Sequence, residues 1–175
     1  NTLNANVTGA LALDQVTNVS GTTAVSGTTM TLQEVLASAD NGSSLTATAG
    51  SSMSLVENIG VSGTEIGSVT ASSGTTLALS ATNADIDSAG VVSLTAGTAL
   101  SSGDSADIAA VGNITLVGGT TVSLDGIADT SAGTLTATAG TSLETLDNGG
   151  LEASGNVVVT AGTTNTNTAG NATGD

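Results

Sequence analysis

Lysine, arginine, histidine, proline, cysteine, phenylalanine, tryptophan and tyrosine are all absent from this 175-residue chain, so twelve residue types do all its work. With no base, its 15 acidic groups give a formal charge of −15, and no salt bridge between side chains can form. Phosphate recognition runs on Lys and Arg, so a nucleic-acid partner is not expected, and polybasic attachment to anionic lipid fails for the same reason. His, Cys, Lys and Tyr are missing as nucleophiles, bases and Schiff-base formers, and only carboxylates and hydroxyls remain, which argues against an enzyme. A carboxylate pair can hydrolyse glycosides, yet sugar sites normally also use aromatic and basic side chains. Without imidazole or thiolate, only hard cations on oxygen ligands remain as metal candidates, and no cofactor is expected.

What is present is small and aliphatic. Leu, Val, Ile and Met number 41, a supply that suits a thin core. Low charge, positive mean hydropathy and many β-branched residues argue against simple disorder. The longest run of large aliphatics is Val157-Val158-Val159, far short of a membrane span, so no membrane insertion is expected. No signal peptide opens the chain, and its start at Asn1 suggests a processed product or a slice of a longer rod.

A short phrase recurs along nearly the whole length. It reads Leu45-Thr-Ala-Thr-Ala-Gly50, then Val92-Ser-Leu-Thr-Ala-Gly97, Leu135-Thr-Ala-Thr-Ala-Gly140 and Val157-Val-Val-Thr-Ala-Gly162. The pivotal glycines Gly27, Gly50, Gly74, Gly97, Gly119, Gly140 and Gly162 are separated by 23, 24, 23, 22, 21 and 22 residues. A second glycine precedes each phrase, at Gly21, Gly42, Gly67, Gly90, Gly112, Gly133 and Gly155. Each copy alternates apolar and polar residues with the period of a strand, and a second alternating segment such as Leu77-Ala-Leu79 follows the pivot. A looser third segment holds one or two aliphatics, such as Ile86, Ile108, Ile127 and Leu151.

Three short strands and three corners in about 22 residues describe one coil of an all-β parallel β-solenoid, of about eight coils and about 38 Å. Glycine at the corners is expected to supply backbone angles that other residues adopt poorly. Proline is absent because central strands must donate to both neighbours. Residues 1–164 are assigned to the solenoid, and 165–175 to a polar tail, linker or partial coil.

The phrase Gly-x-hydrophobic-x-hydrophobic-x-Ala-Gly, as in Gly133-Thr-Leu-Thr-Ala-Thr-Ala-Gly140, resembles the repeats of filamentous-haemagglutinin-like exoproteins over roughly residues 9 to 164. That resemblance implies a right-handed parallel β-helix, export to the cell surface or medium, and a role as adhesin or surface fibre.

None of the 15 acids falls inside any of the seven glycine-to-glycine segments, so one wall of the rod is expected to be uncharged. Its outward positions read Thr46, Thr48, Thr70, Ser72, Ser93, Thr95, Thr115, Val117, Thr136, Thr138, Val158 and Thr160. Three readings stand side by side: ordinary outward strand residues in a Thr-rich chain, a surface for lateral packing of rods, and a hydroxyl lattice that looks like the ice-binding face of β-helical antifreeze proteins. The acids are expected on the other two walls and their loops. Asp85-Ile-Asp87 and Asp104-Ser-Ala-Asp107 are candidate Ca²⁺ donors, with solvated loop acids the preferred reading. Five glycosylation sequons, at Asn6, Asn18, Asn41, Asn113 and Asn171, are no more than this composition yields by chance. With no capping helix legible at either terminus, end-to-end stacking is a further expectation. The functional expectation is a secreted or cell-surface structural rod, fibre subunit or adhesin shaft, whose partners are other copies of itself, end to end or side by side, or a host or surface ligand. The alternative is an ice-binding protein.

Overall fold

The computed structural model describes residues 3–19, 21–37, 43–80 and 84–167. All their regular structure is strand, and successive coils pair in parallel, about 22 residues apart, as a β-solenoid with three walls. The first wall carries eight rungs, from Leu3–Asn6 through Ser44–Ala49 and Leu135–Ala139 to Val157–Ala161. The second runs from Ala10–Val19 through Met53–Leu55 to Thr164–Asn167. The third includes Ile108–Ala110 and Gly150–Ala153. Ile86–Ala96 bends from the third wall into the first as one long strand. Eight rungs enclose seven intervals, which gives a rod of about 34 Å at ~4.8 Å per coil, one interval shorter than the sequence suggests.

The alternation of side chains turns directly into core columns. Along the first wall Leu45, Val69, Val92, Ile114 and Leu135 stack inward. Along the second the column is Met30, Met53, Leu77, Leu100, Val122 and Leu143, and along the third it is Val35, Ile59, Ile86, Ile108, Ala128 and Leu151. Nearly all are fully buried. Each large aliphatic contributes about 1.5–3 kcal/mol by leaving water, so a narrow interior of Leu, Ile and Val needs no aromatic ring.

The glycine columns have a cause the sequence did not suggest. Positive φ among the described glycines occurs only at Gly60 and Gly63, so the corners are not selected for left-handed backbone. Instead, a Cβ on Gly97, Gly119 or Gly140 would lie 2.0–2.1 Å from the carbonyl oxygen of the pivotal glycine one coil earlier. The second column behaves alike: a Cβ on Gly90 would lie 2.0 Å from the Gly67 oxygen, and one on Gly133 2.5 Å from that of Gly112. Coils stack so closely at these corners that only a residue without Cβ fits.

Three further details mark individual coils. Ile127 is not a core residue: it is 38% exposed, and Ala128 stands opposite Ile108 instead. The Asp107 carboxylate accepts the Ile127 N–H at 2.7 Å, which fixes Ile127 at the corner and turns the next residue inward. The longest repeat, between Gly50 and Gly74, contains a small projection in which Val61 and Thr64 form an antiparallel bridge across Ser62-Gly63, with positive φ at Gly60 and Gly63. Thr164–Asn167 ladders onto Ser142–Thr145, at the start of the stretch for which the sequence left a tail, a linker or a partial coil open. The rest of the polar stretch, 168–175, lies outside the described residues.

Candidate functional site

The first wall carries its outward residues in two straight rows. Ladder pairing places Thr46, Thr70, Ser93, Thr115, Thr136 and Val158 in one, and Thr48, Ser72, Thr95, Val117, Thr138 and Thr160 in the other. Thr46, Thr48, Thr70, Val158 and Thr160 are exposed and the others half-buried. Ser72 donates to the Thr48 hydroxyl at 3.5 Å, so neighbouring hydroxyls begin to pair along the rod axis. Toward the N-terminus the rows continue as Asn4–Ala24 and Asn6–Ser26, where the Ser26 hydroxyl donates to Asn6 Oδ1 at 3.0 Å.

The second wall is nearly charge-free as well. One of its outward rows reads Ala12, Thr31, Ser54, Ala78, Ser101, Ser123, Glu144 and Thr166. Among the described residues Glu144 lies on an outward row of the second wall, Asp14 and Glu34 lie where the long strands Ala10–Val19 and Thr29–Ala37 run on from the second wall toward the third, and the other acids lie on the third wall, its corner or the nearby projection. The signal was present in the sequence: from Gly27 to Leu32, Gly50 to Leu55, Gly74 to Leu79, Gly97 to Ser102 and Gly119 to Leu124 there is no acid, and only Gly140 to Thr145 contains one. Charge among the described residues is therefore concentrated on one side of the rod, with Glu144 the exception on the second wall.

At the acidic corner the carboxylates accept backbone hydrogen bonds from coil to coil. Asn58 Oδ1 accepts the Asp85 N–H at 3.2 Å, Asp85 Oδ1 accepts that of Asp107 at 2.9 Å, and Asp107 Oδ1 accepts that of Ile127. Asp125 Oδ1 takes the Asn148 N–H at 3.2 Å, while the Asn148 side-chain amide donates to Asp104 at 2.7 Å. Where a base would normally stand, neutral amides donate to carboxylates: Gln33 donates to Asp14 at 3.1 Å and Gln15 donates to Glu34.

No protein-family model, curated protein or solved structure matches this chain.

The four acids considered for Ca²⁺ are thus not brought into one cage. Asp85, Asp104 and Asp107 each engage a backbone, amide or hydroxyl donor, and Asp87 lies on the outward row of the third wall with Ala109, Asp129 and Glu152. No group of three or more acids among the described residues is arranged to hold a metal ion. Burial, followed by the negative charges of Asp85 and Glu65, raises the Asp87 pKa above the ordinary carboxylate value, against a lowering hydrogen bond from the Ser62 backbone. Two sequon asparagines have structural work: Asn113 Oδ1 accepts the Thr134 N–H at 2.9 Å, and Asn6 holds Ser26. Asn41 and Asn171 lie outside the described residues.

Proposed function

We propose that this chain is a non-enzymatic structural rod that works outside the cell, as the shaft of a surface fibre or adhesin. The observation that carries the reading is the use made of its polar groups. Corner carboxylates and amides are engaged in coil-to-coil hydrogen bonds, and outward hydroxyls form repeated rows along the rod. Such a molecule presents a stiff, regular surface, because every coil is held to the next by continuous backbone ladders. The resemblance of the Gly133–Gly140 phrase to filamentous-haemagglutinin-like repeats supports the same role. Antibody raised against the chain should label intact source cells or their medium, with the cell label removed by brief surface proteolysis. Label appearing only after permeabilisation would refute it.

A second reading is ice binding, favoured by the in-register exposure of Thr46, Thr48 and Thr70 on a wall without charge. It requires thermal hysteresis at micromolar protein that disappears in Thr48→Asp and Thr138→Asp. Absence of hysteresis in the unaltered chain removes this reading.

A further inference from the structure

We propose that the first wall is a self-association face, on which a second copy of this chain docks wall to wall. The inference does not depend on where the protein works. Three features suit this face to a second copy, and among the described residues it carries no acid, whereas the second wall carries Glu144. Charge is the first. With 15 acids and no base, two copies that approach through their third walls repel, and no ion pair is available to offset it. Docked through their first walls, they leave the acids described on the third wall, such as Asp87, Asp129 and Glu152, outside the shared face, where salt screens them more than in a third-wall approach.

Chemistry is the second. A hydroxyl both donates and accepts, so rows of Thr and Ser can serve as their own complement across a two-fold axis, whereas a carboxylate row only accepts. The methyl groups of Thr and the side chains of Val117 and Val158, the latter 44% exposed, supply apolar area for burial. Shape is the third. Glycine columns border the wall on both sides, with Gly97, Gly119 and Gly140 on one edge and Gly90, Gly112 and Gly133 on the other. The glycines themselves add no side chain at these edges, and the exposed Val91 and Val111 beside Gly90 and Gly112 add apolar area there. A wall of about 34 Å by about 20 Å offers roughly 680 Å² per copy, close to the ~800 Å² per partner of a standard specific interface.

Sedimentation of the whole chain from about 1 µM to about 1 mM tests this directly. A reversible dimer is expected. Thr95→Glu and Thr138→Glu, each adding a charge to the first wall, should weaken dimerisation by about tenfold or more, since like charges across an interface cost several kcal/mol. Ser101→Glu adds the same charge on the second wall and should leave the dissociation constant within about twofold. Circular dichroism confirms that each variant keeps its strands. As a second measurement, Ser93→Cys near the wall centre should yield disulfide-linked dimers, and Ser101→Cys should not. A chain that stays monomeric throughout overturns the proposal. So does association abolished by Ser101→Glu, open-ended growth untouched by Thr95→Glu and Thr138→Glu, or a monomer that binds ice through this wall.

Discussion

Replacing one pivotal glycine by alanine should be severe at one coil and harmless at another. At Gly119 the new Cβ would sit 2.0 Å from the Gly97 oxygen and 2.8 Å from its carbon. Ordinary contact begins near 3.4 Å, so the coils must part by more than an ångström at that corner. The obstruction is backbone and cannot swing aside, which puts Gly119→Ala at about 3 kcal/mol, the upper end of overpacking costs. At Gly50 the nearest atom to a new Cβ is Thr28 Cα at 3.7 Å, and φ is not left-handed. Gly50→Ala should then stabilise by roughly 0.4–1 kcal/mol, because the unfolded chain loses freedom. Urea denaturation of both variants measures the gap, expected near 4 kcal/mol. Hydrogen exchange should localise the Gly119→Ala damage to the adjoining coils. Two variants of equal stability would refute the close-stacking account of the glycine columns.

Three other substitutions probe buried polar groups and charge. The Thr23 hydroxyl is fully buried without a hydrogen-bond partner, so Thr23→Val should stabilise by about 1 kcal/mol, read as a higher urea midpoint; a lower midpoint would contradict it. Ser102 interrupts an otherwise leucine-rich column because its Oγ accepts the Asp125 and Gly126 N–H groups at 2.9 and 3.1 Å. Ser102→Ala strands both donors and should cost about 2 kcal/mol, a fall of several degrees in melting temperature, and an unchanged melt would count against it. Asp87 is raised by burial first, then by Asp85 and Glu65. Between its unfolded and folded pKa the native state therefore holds more protons, and stability falls as pH rises through that window. Asp87→Asn should be more stable than the unaltered chain at neutral pH, with the advantage fading as pH drops toward about 3.9; a constant difference across pH would reject this cause.

Much of the architecture was legible because a repeat shows the same local decision several times. Alternation in Val92-Ser-Leu-Thr-Ala gave both the inward column and the outward row, and the rows stand where the alternation put them. What escaped depended on neighbours in space. A single coil says nothing about the Gly97 oxygen beneath Gly119, so backbone freedom seemed the reason for glycine. Ile127 looked like core until the Asp107 carboxylate claimed its N–H. The second neutral wall was missed because its segments end at an aliphatic and not at a second glycine, as at Gly74 to Leu79, so no obvious boundary framed them. The acids read as solvated charge, whereas Asp85 and Asp107 act as acceptors from coil to coil.

The central claim is a stiff stack of coils in one register, and a distance along the rod tests it most directly. The chain has no cysteine, so spin labels can be placed only where they are introduced. Thr31 and Ser123 occupy one outward row of the second wall, four intervals apart through Ser54, Ala78 and Ser101. Labels at Thr31→Cys and Ser123→Cys should therefore give a narrow distance distribution centred near 19 Å, at ~4.8 Å per coil. A broad distribution, or one centred far beyond that separation, would contradict the stacked solenoid and every role assigned to its walls.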